Sequence, residues 1–176
     1  GADKAVRLWD VESGQQTKLL EGHEDEITSA VYGVGDVLAT AGWDSTIRLW
    51  DTAGNCQSIL RHDSWVRHLA VSRDRRLLAS ASRDASIRLW DVQTAVEVLR
   101  LDAHVGGADA VAFSADGALL ATSGRDLAIK FWEVASGKPI HSIVDHEKPV
   151  LTLAFNNDGS LLATGSGDNS VRVWQI

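Results

Sequence analysis

The chain has 176 residues, 44% of them apolar, a formal net charge of −7 and a single cysteine, Cys56. That length suits one domain with a sizeable core, and an acidic balance without a long basic block argues against electrostatic binding to nucleic acid or anionic membrane. No apolar run reaches the roughly 18 residues of a membrane helix, and a lone cysteine excludes an internal disulfide and fits an intracellular, cytoplasmic setting.

In chain order, "DKAVRLWD" (3–10) predicts a strand over about residues 5–10, and the next segment a second strand over about 16–20. A fuller pattern then begins at His23. "ITSAVYG", "VLATAGWD" and "DSTIRLWD" are followed by "VRHLAVS", "LLASASRD" and "DASIRLWD". The pattern returns as "ADAVAFS", "LLATSGRD" and "DLAIKFWE", and again as "VLTLAFN", "LLATGSGD" and "DNSVRVWQ". His23, His62, His104 and His146 each precede one set. Segments rich in Val, Ile, Leu and Thr are strand signals, and "SRDRR" (72–76), "SADGA" (114–118) and "NNDGS" (156–160) are polar turns between them. The motif tryptophans Trp9, Trp50, Trp90, Trp132 and Trp174 lie 41, 40, 42 and 42 residues apart. Four short strands per unit of roughly 40 residues is the spacing of propeller blades.

On these motifs the whole chain resembles the WD-repeat (WD40-type) β-propeller family, with Glu133 and Gln175 departing from the aspartate that usually follows the tryptophan. The resemblance implies an all-β propeller of four-stranded antiparallel blades, about four of them present, whose strands we call a to d with the tryptophan in c. The predicted units are a partial one over 1–20, repeats over about 21–61, 62–101 and 102–144, and an incomplete terminal blade over 145–176. Rings in the family usually have seven or eight blades, so three arrangements stand open. The chain is a piece of a larger propeller, or two copies form a homodimer closing an eight-blade-like ring, or the first d strand completes the last blade in a four-blade ring. The sequence lacks methionine and a visible signal peptide, and Gly1-Ala2 reads as a scar or processing site. A segment of something longer is therefore expected.

Each repeat also holds the chemical types of a charge-relay triad: His23/Thr40/Asp44, His62/Ser80/Asp84, His104/Thr122/Asp126 and His146/Thr164/Asp168. A catalytic triad is assembled once, whereas this set occurs four times, each time six residues before Trp50, Trp90, Trp132 or Trp174. The resemblance implies a structural tetrad tying the loop entering a blade to the turn between strands b and c. Such groups are costly to bury alone and satisfy one another together. The histidines are 39 to 42 residues apart, in different blades, and neither a Cys-x-x-Cys nor a His-Glu-x-x-His is present, so no metal site and no cofactor are expected. "GVGDV" (33–37) reads as a turn between strands, without the strand-to-helix setting of a phosphate loop.

Trp43 and Trp65 stand outside the repeat. By the resemblance, Trp43 before the turn aspartate and Trp65 three residues after its histidine lie on the top face around the central channel, with Arg67, Arg83, Arg125 and Asp109 at equivalent positions. Tryptophan and arginine carry much interface energy, so this set is a candidate site for an acidic or phosphorylated peptide. The plainer alternative has Trp43 packing on Trp65, and Arg83 and Arg125 pairing with nearby carboxylates. Arg73, Arg75 and Arg76 fall in a solvated turn on the opposite face, His68 and His141 within strands a and d, and Cys56 at the start of a d strand with no basic cluster beside it.

These features point to a non-enzymatic interaction scaffold for a protein or peptide. The alternatives are a sensor or autoinhibitory segment of a larger signalling NTPase or kinase, and a designed or evolutionary-model fragment. An enzyme would need an unrepeated polar cluster in the channel, and none is evident.

Overall fold

The computed structural model describes residues 1–33 and 37–176; the reading of "GVGDV" as a turn falls outside the described residues. The first two strands, β1 (Ala5–Trp9) and β2 (Gln16–Glu21), form a two-stranded sheet. The next sheet holds β3 (Ile27–Tyr32), β4 (Leu38–Gly42), β5 (Thr46–Trp50) and β6 (Cys56–Arg61). A second four-stranded sheet holds β7 (Val66–Val71), β8 (Leu77–Ser82), β9 (Ser86–Asp91) and β10 (Val96–Asp102). The third holds β11 (Ala108–Phe113), β12 (Leu119–Gly124), β13 (Ala128–Glu133) and β14 (Pro139–Val144). A three-stranded sheet of β15 (Val150–Phe155), β16 (Leu161–Ser166) and β17 (Val171–Gln175) completes the series. Sequence neighbours pair antiparallel throughout. The chain is therefore an all-β partial propeller. Its a strands β3, β7, β11 and β15 neighbour one another from blade to blade and line the inside of an arc.

The core lies between blades, and the sequence of each strand says why. Strand b carries small residues at its centre: Ala39, Ala41, Ala79, Ala81 and Ala121 are buried, so adjacent sheets approach closely on both faces. Strand c points two large apolar residues at the following blade. Ile47 and Leu49 pack with Leu69, Leu78 and Trp90. Ile87 and Leu89 pack with Val111, Leu120 and Trp132, and Ile129 and Phe131 with Leu153 and Leu162 beside Trp174. Val6 and Leu8 of the first half-blade pack on Leu38 and Trp50 in the same manner. Each fully buried Leu or Ile contributes about 1.5–3 kcal/mol, so this repeated interface supplies most of the cohesion.

Between b and c the chain turns on an aspartate, and the next residue takes a left-handed conformation in every blade: Ser45, Ala85, Leu127 and Asn169 have φ of 63°, 73°, 66° and 68°. The a–b turns place Gly117 and Gly159 at φ 74° and 78°, and Arg75 takes the same place at φ 60°. One expected arrangement is corrected here. In a closed four-blade ring β2 would pair with β17, but β2 pairs with β1, and β17 lies at a free sheet edge among the described residues. The strand β1 already occupies the edge of β2 that closure needs.

Candidate functional site

In the first blade the His23 ring lies 2.8 Å from Thr40 Oγ1 through Nε2 and 2.8 Å from Asp44 Oδ2 through Nδ1. The Trp50 indole N–H donates to Thr40 Oγ1 at 2.8 Å. The same chain of contacts joins His62, Ser80, Asp84 and Trp90, then His104, Thr122, Asp126 and Trp132. His146, Thr164, Asp168 and Trp174 form the fourth, with the indole at 3.0 Å. The backbone N–H groups of Glu24, Asp63 and Glu147 also donate to Asp44, Asp84 and Asp168, so the carboxylate links the entering loop to the b–c turn.

Burial sets the protonation pattern. It pushes the His23 and His104 imidazoles below their ordinary pKa, against the pull of Asp44 and Asp126. Burial alone would raise the Asp44 carboxyl, but the Glu24 N–H, the Thr46 hydroxyl and His23 outweigh it and hold it low. At Asp84, burial is opposed by His62 and Ser86, and the carboxyl ends far below its usual range. In the first and third blades, with the imidazole neutral and the carboxylate ionised, Nδ1–H donates to Asp and Nε2 accepts the Thr hydroxyl proton, while the indole donates to the hydroxyl oxygen. This is the proton order of a nucleophile–base pair. No substrate reaches it, since Thr40, Ser80 and Thr122 are wholly buried and Thr164 nearly so.

Several members of these networks lay outside the sequence reading. Thr46, Ser86 and Ser170 donate their hydroxyls to the aspartate two residues before them, at 2.6–2.7 Å. The third blade has Ala128 there, and Lys130 Nζ meets Asp126 Oδ2 at 2.9 Å. In the second blade Arg88 reaches Asp84 at 3.2 Å and Asp63 at 2.8 Å. The signal was available in the sequence, as a hydroxyl residue two positions after three of the four turn aspartates.

One rim of the arc gathers the residues that do not repeat. Backbone N–H groups of Trp43, Arg83, Arg125 and Gly167 donate to the carbonyls of Glu26, Trp65, Gly107 and Pro149 at 2.8–3.0 Å. These bonds bring the residue before each turn aspartate beside the residue three after each histidine. Trp43 stacks on Trp65 of the next blade, with ring centroids 4.8 Å apart. Arg83 lies over Gly107, whose φ of 118° disfavours any side chain and where a Cβ would stand 3.2 Å from the Arg83 Cα. Asp109 sits beneath, its side chain fully buried, with Oδ1 3.3 Å from Arg67 Nε and Oδ2 3.4 Å from Arg125 Nε. Neither oxygen accepts a well-directed hydrogen bond, and the covered Trp43 Nε1–H and Arg83 Nη1 also lack a partner among the described residues. Asp109 therefore departs from the expectation of a partner-contacting residue. It is covered, and holds two arginines from below.

The remaining candidates lie elsewhere. His68 in β7 is half-buried, with its pKa lowered by burial, and His141 in β14 tilts against Phe131. Cys56 opens β6 and is exposed. Among the described residues no group of His, Cys, Asp or Glu could hold a metal ion, and no helix is long and apolar enough to cross a membrane.

The family described as "WD domain, G-beta repeat" matches residues 14–51, 54–91, 95–133 and 137–175. Among curated proteins, the Notchless protein of Drosophila melanogaster is 31% identical over 74 residues, covering 41% of this chain and 15% of that protein. WD repeat-containing protein 37 of Xenopus laevis is 35% identical over 80 residues, 43% of this chain and 16% of its own length. The guanine nucleotide-binding protein subunit beta of Schizosaccharomyces pombe is 42% identical over 53 residues, 30% of this chain and 17% of that protein. The chain thus spans less than a fifth of each of these relatives. With four repeat matches running over most of its length, on sheets that fold as successive blades, the chain belongs to the WD-repeat family.

Proposed function

We propose that this segment is a non-enzymatic protein-interaction module whose Trp43–Trp65 rim receives an acidic or phosphorylated peptide. One observation carries the reading: three guanidinium groups, from Arg67, Arg83 and Arg125, gather beside a stacked tryptophan pair with one covered carboxylate, Asp109, facing two of them. The cluster keeps a positive excess on an acidic chain, and guanidinium forks suit carboxylate and phosphate groups. Tetrads beneath the rim fix its loops before binding, which lowers the ordering cost of docking. The sealed hydroxyls support a structural rather than a catalytic role for the tetrads. A relative named as a subunit of a guanine nucleotide-binding protein is consistent with work done through protein contacts. Further blades, from a second copy or from additional sequence, would extend the arc without covering this rim.

The test is fluorescence anisotropy with a labelled glutamate-rich peptide and its phosphoserine counterpart. Arg67→Glu with Arg83→Glu is expected to weaken binding at least tenfold, and Arg73→Glu with Arg76→Glu on the opposite turn to leave it unchanged. Equal affinity of the rim variant and the unsubstituted chain, or no binding by either peptide, overturns the reading.

A further inference from the structure

We propose that the turn Val105-Gly106-Gly107 is the part of the rim that closes on a partner, and that Val105 seats an aliphatic side chain beside the partner's acidic group. The inference rests on the rim being a site for an acidic or phosphorylated peptide. Its own ground is the difference between the third entering loop and the other three. Glu24, Asp63 and Glu147, each following the tetrad histidine, donate their N–H to the tetrad aspartate at 2.9, 3.0 and 3.1 Å. Val105 holds the same place and makes no such bond. Asp126 is met instead by His104, the Ala128 N–H and Lys130. Ser82 and Ser166 add a second tie, donating their hydroxyls to the loop carbonyls of Ser64 and Lys148. The first and third blades have Gly42 and Gly124 there. Among the described residues, only the third loop lacks both ties. The Asp126 side chain is accordingly 18% exposed, against 5–8% for its three counterparts.

The untied loop is a tight turn. The Gly107 N–H donates to the His104 carbonyl at 3.1 Å, and Gly106 takes φ 84°. A positive φ at the third position of the turn and not at the second marks a type II turn. No residue of the equivalent stretches 24–26, 63–65 and 147–149 has a positive φ. The second residue of this turn is Val105, and it is 83% exposed. The two glycines after it lie against the arginines of the rim. A Cβ on Gly106 would stand 3.5 Å from Arg125 Cβ, and one on Gly107 3.3 Å from Arg83 Nη1. Val105 therefore projects beside two cationic side chains, and the matching ligand is mixed: an anionic group for the guanidiniums and an aliphatic one for the valine. An extended peptide advances about 3.3 Å per residue, which puts the aliphatic residue within two positions of the acidic one. Segments with few backbone bonds open most easily, so this turn can adjust on docking while the tetrads hold the other loops.

The experiment uses the full chain and labelled peptides read by fluorescence anisotropy. One peptide carries leucine two residues to either side of its anionic residue, and its control carries serine at those places. Both are made with phosphoserine and with glutamate as the anionic residue. The leucine peptides are expected to bind at least fivefold more tightly than the serine peptides. Val105→Ser should remove that preference and leave the serine peptides' affinity unchanged, and Val105→Leu should keep it. The side chain is exposed, so near-ultraviolet circular dichroism should be the same in all three proteins. Amide exchange supplies a second readout: the Val105 N–H should exchange faster than those of Glu24, Asp63 and Glu147, and a leucine peptide should slow it at least tenfold. Equal affinity for leucine and serine peptides, or a preference that survives Val105→Ser, overturns this inference and leaves the rim's acidic-peptide role standing. So does exchange at Val105 that is no faster than at the other three, or that a bound leucine peptide leaves unchanged. Binding by none of the four peptides overturns that role and this inference with it.

Discussion

Trp43 and Trp65, which come from different blades, lie with their ring planes inclined by only 17° at a centroid distance of 4.8 Å. The pair does at the first blade junction what Arg83 over Gly107 does at the second: it fills the rim between a b–c turn and the next entering loop. Trp65 remains 43% exposed, so the stack is both packing and surface. A double-mutant cycle with Trp43→Ala and Trp65→Ala should show a coupling of about 0.5–1.5 kcal/mol in urea unfolding. Additive losses would mean the rings pack independently.

The tetrads should differ in worth along the chain. Thr122→Val keeps the shape of the side chain but leaves the Trp132 N–H and the His104 Nε2 without a partner inside a dry interface. A loss of about 2–3 kcal/mol is expected. Thr164→Val removes the same bonds in the last blade, where Trp174 is half-buried and water can replace them, so about 1 kcal/mol is expected. Matched urea titrations measure the difference. Equal losses would show that the terminal blade is as well sealed as the third.

The strands were legible because this fold repeats one pattern under one set of rules. Alternating Val, Ile and Leu with Asp-Gly turns set the strands, and the periodic tryptophans set the blades, because each buried indole needs a hydroxyl at a fixed strand register. The rim was legible only as a list. That Trp43 and Trp65 stack, and that Asp109 lies beneath Arg67 and Arg125, depends on contacts between blades that no local pattern encodes. Leu127 in a left-handed conformation was equally hidden, since local preference argues against it. Its turn is held by Asp126 accepting the Ala128 N–H and by the tetrad behind that aspartate.

Arg75 sits where the two sister turns have glycine, at φ 60°. A side chain in this region costs about 1–2 kcal/mol relative to the ordinary backbone. The turn is otherwise intact, with Ser72 donating to Asp74 and Asp74 accepting the Arg76 N–H. Arg75→Gly should therefore stabilise the fold by about 0.5–1 kcal/mol after the larger entropy of the unfolded glycine is subtracted. Thermal unfolding checks this, and a lower melting temperature would mean the Arg75 side chain contributes contacts that outweigh the strain.

Acid should weaken the fold in two stages. The first belongs to His23 and His104, whose burial lowers their pKa from an ordinary 6.5. Arg48 near His23 and Lys130 near His104 push the same way, while Asp44, Asp126 and, more distantly, Asp109 oppose. A depressed pKa means that the unfolded chain binds protons the folded chain refuses, so stability is full above about pH 6.5 and declines as pH falls toward the folded values. The second stage belongs to Asp44, Asp84, Asp126 and Asp168, all held below the ordinary 3.8. At Asp168 the Ser170 hydroxyl is the main cause, with burial opposing and His146 assisting. Their contribution is present above the unfolded carboxylate pKa and is lost as pH falls through the folded one. Calorimetry should therefore find the melting temperature falling from about pH 7 to pH 5 and falling again below about pH 4. His104→Gln should lessen the first decline, leaving the share that belongs to His23, and should change the second only through Asp126, whose carboxyl His104 helps to hold low. A melting temperature that rises between pH 7 and 5 would mean the imidazoles take up protons in the folded protein, and that their aspartates, not burial, control them.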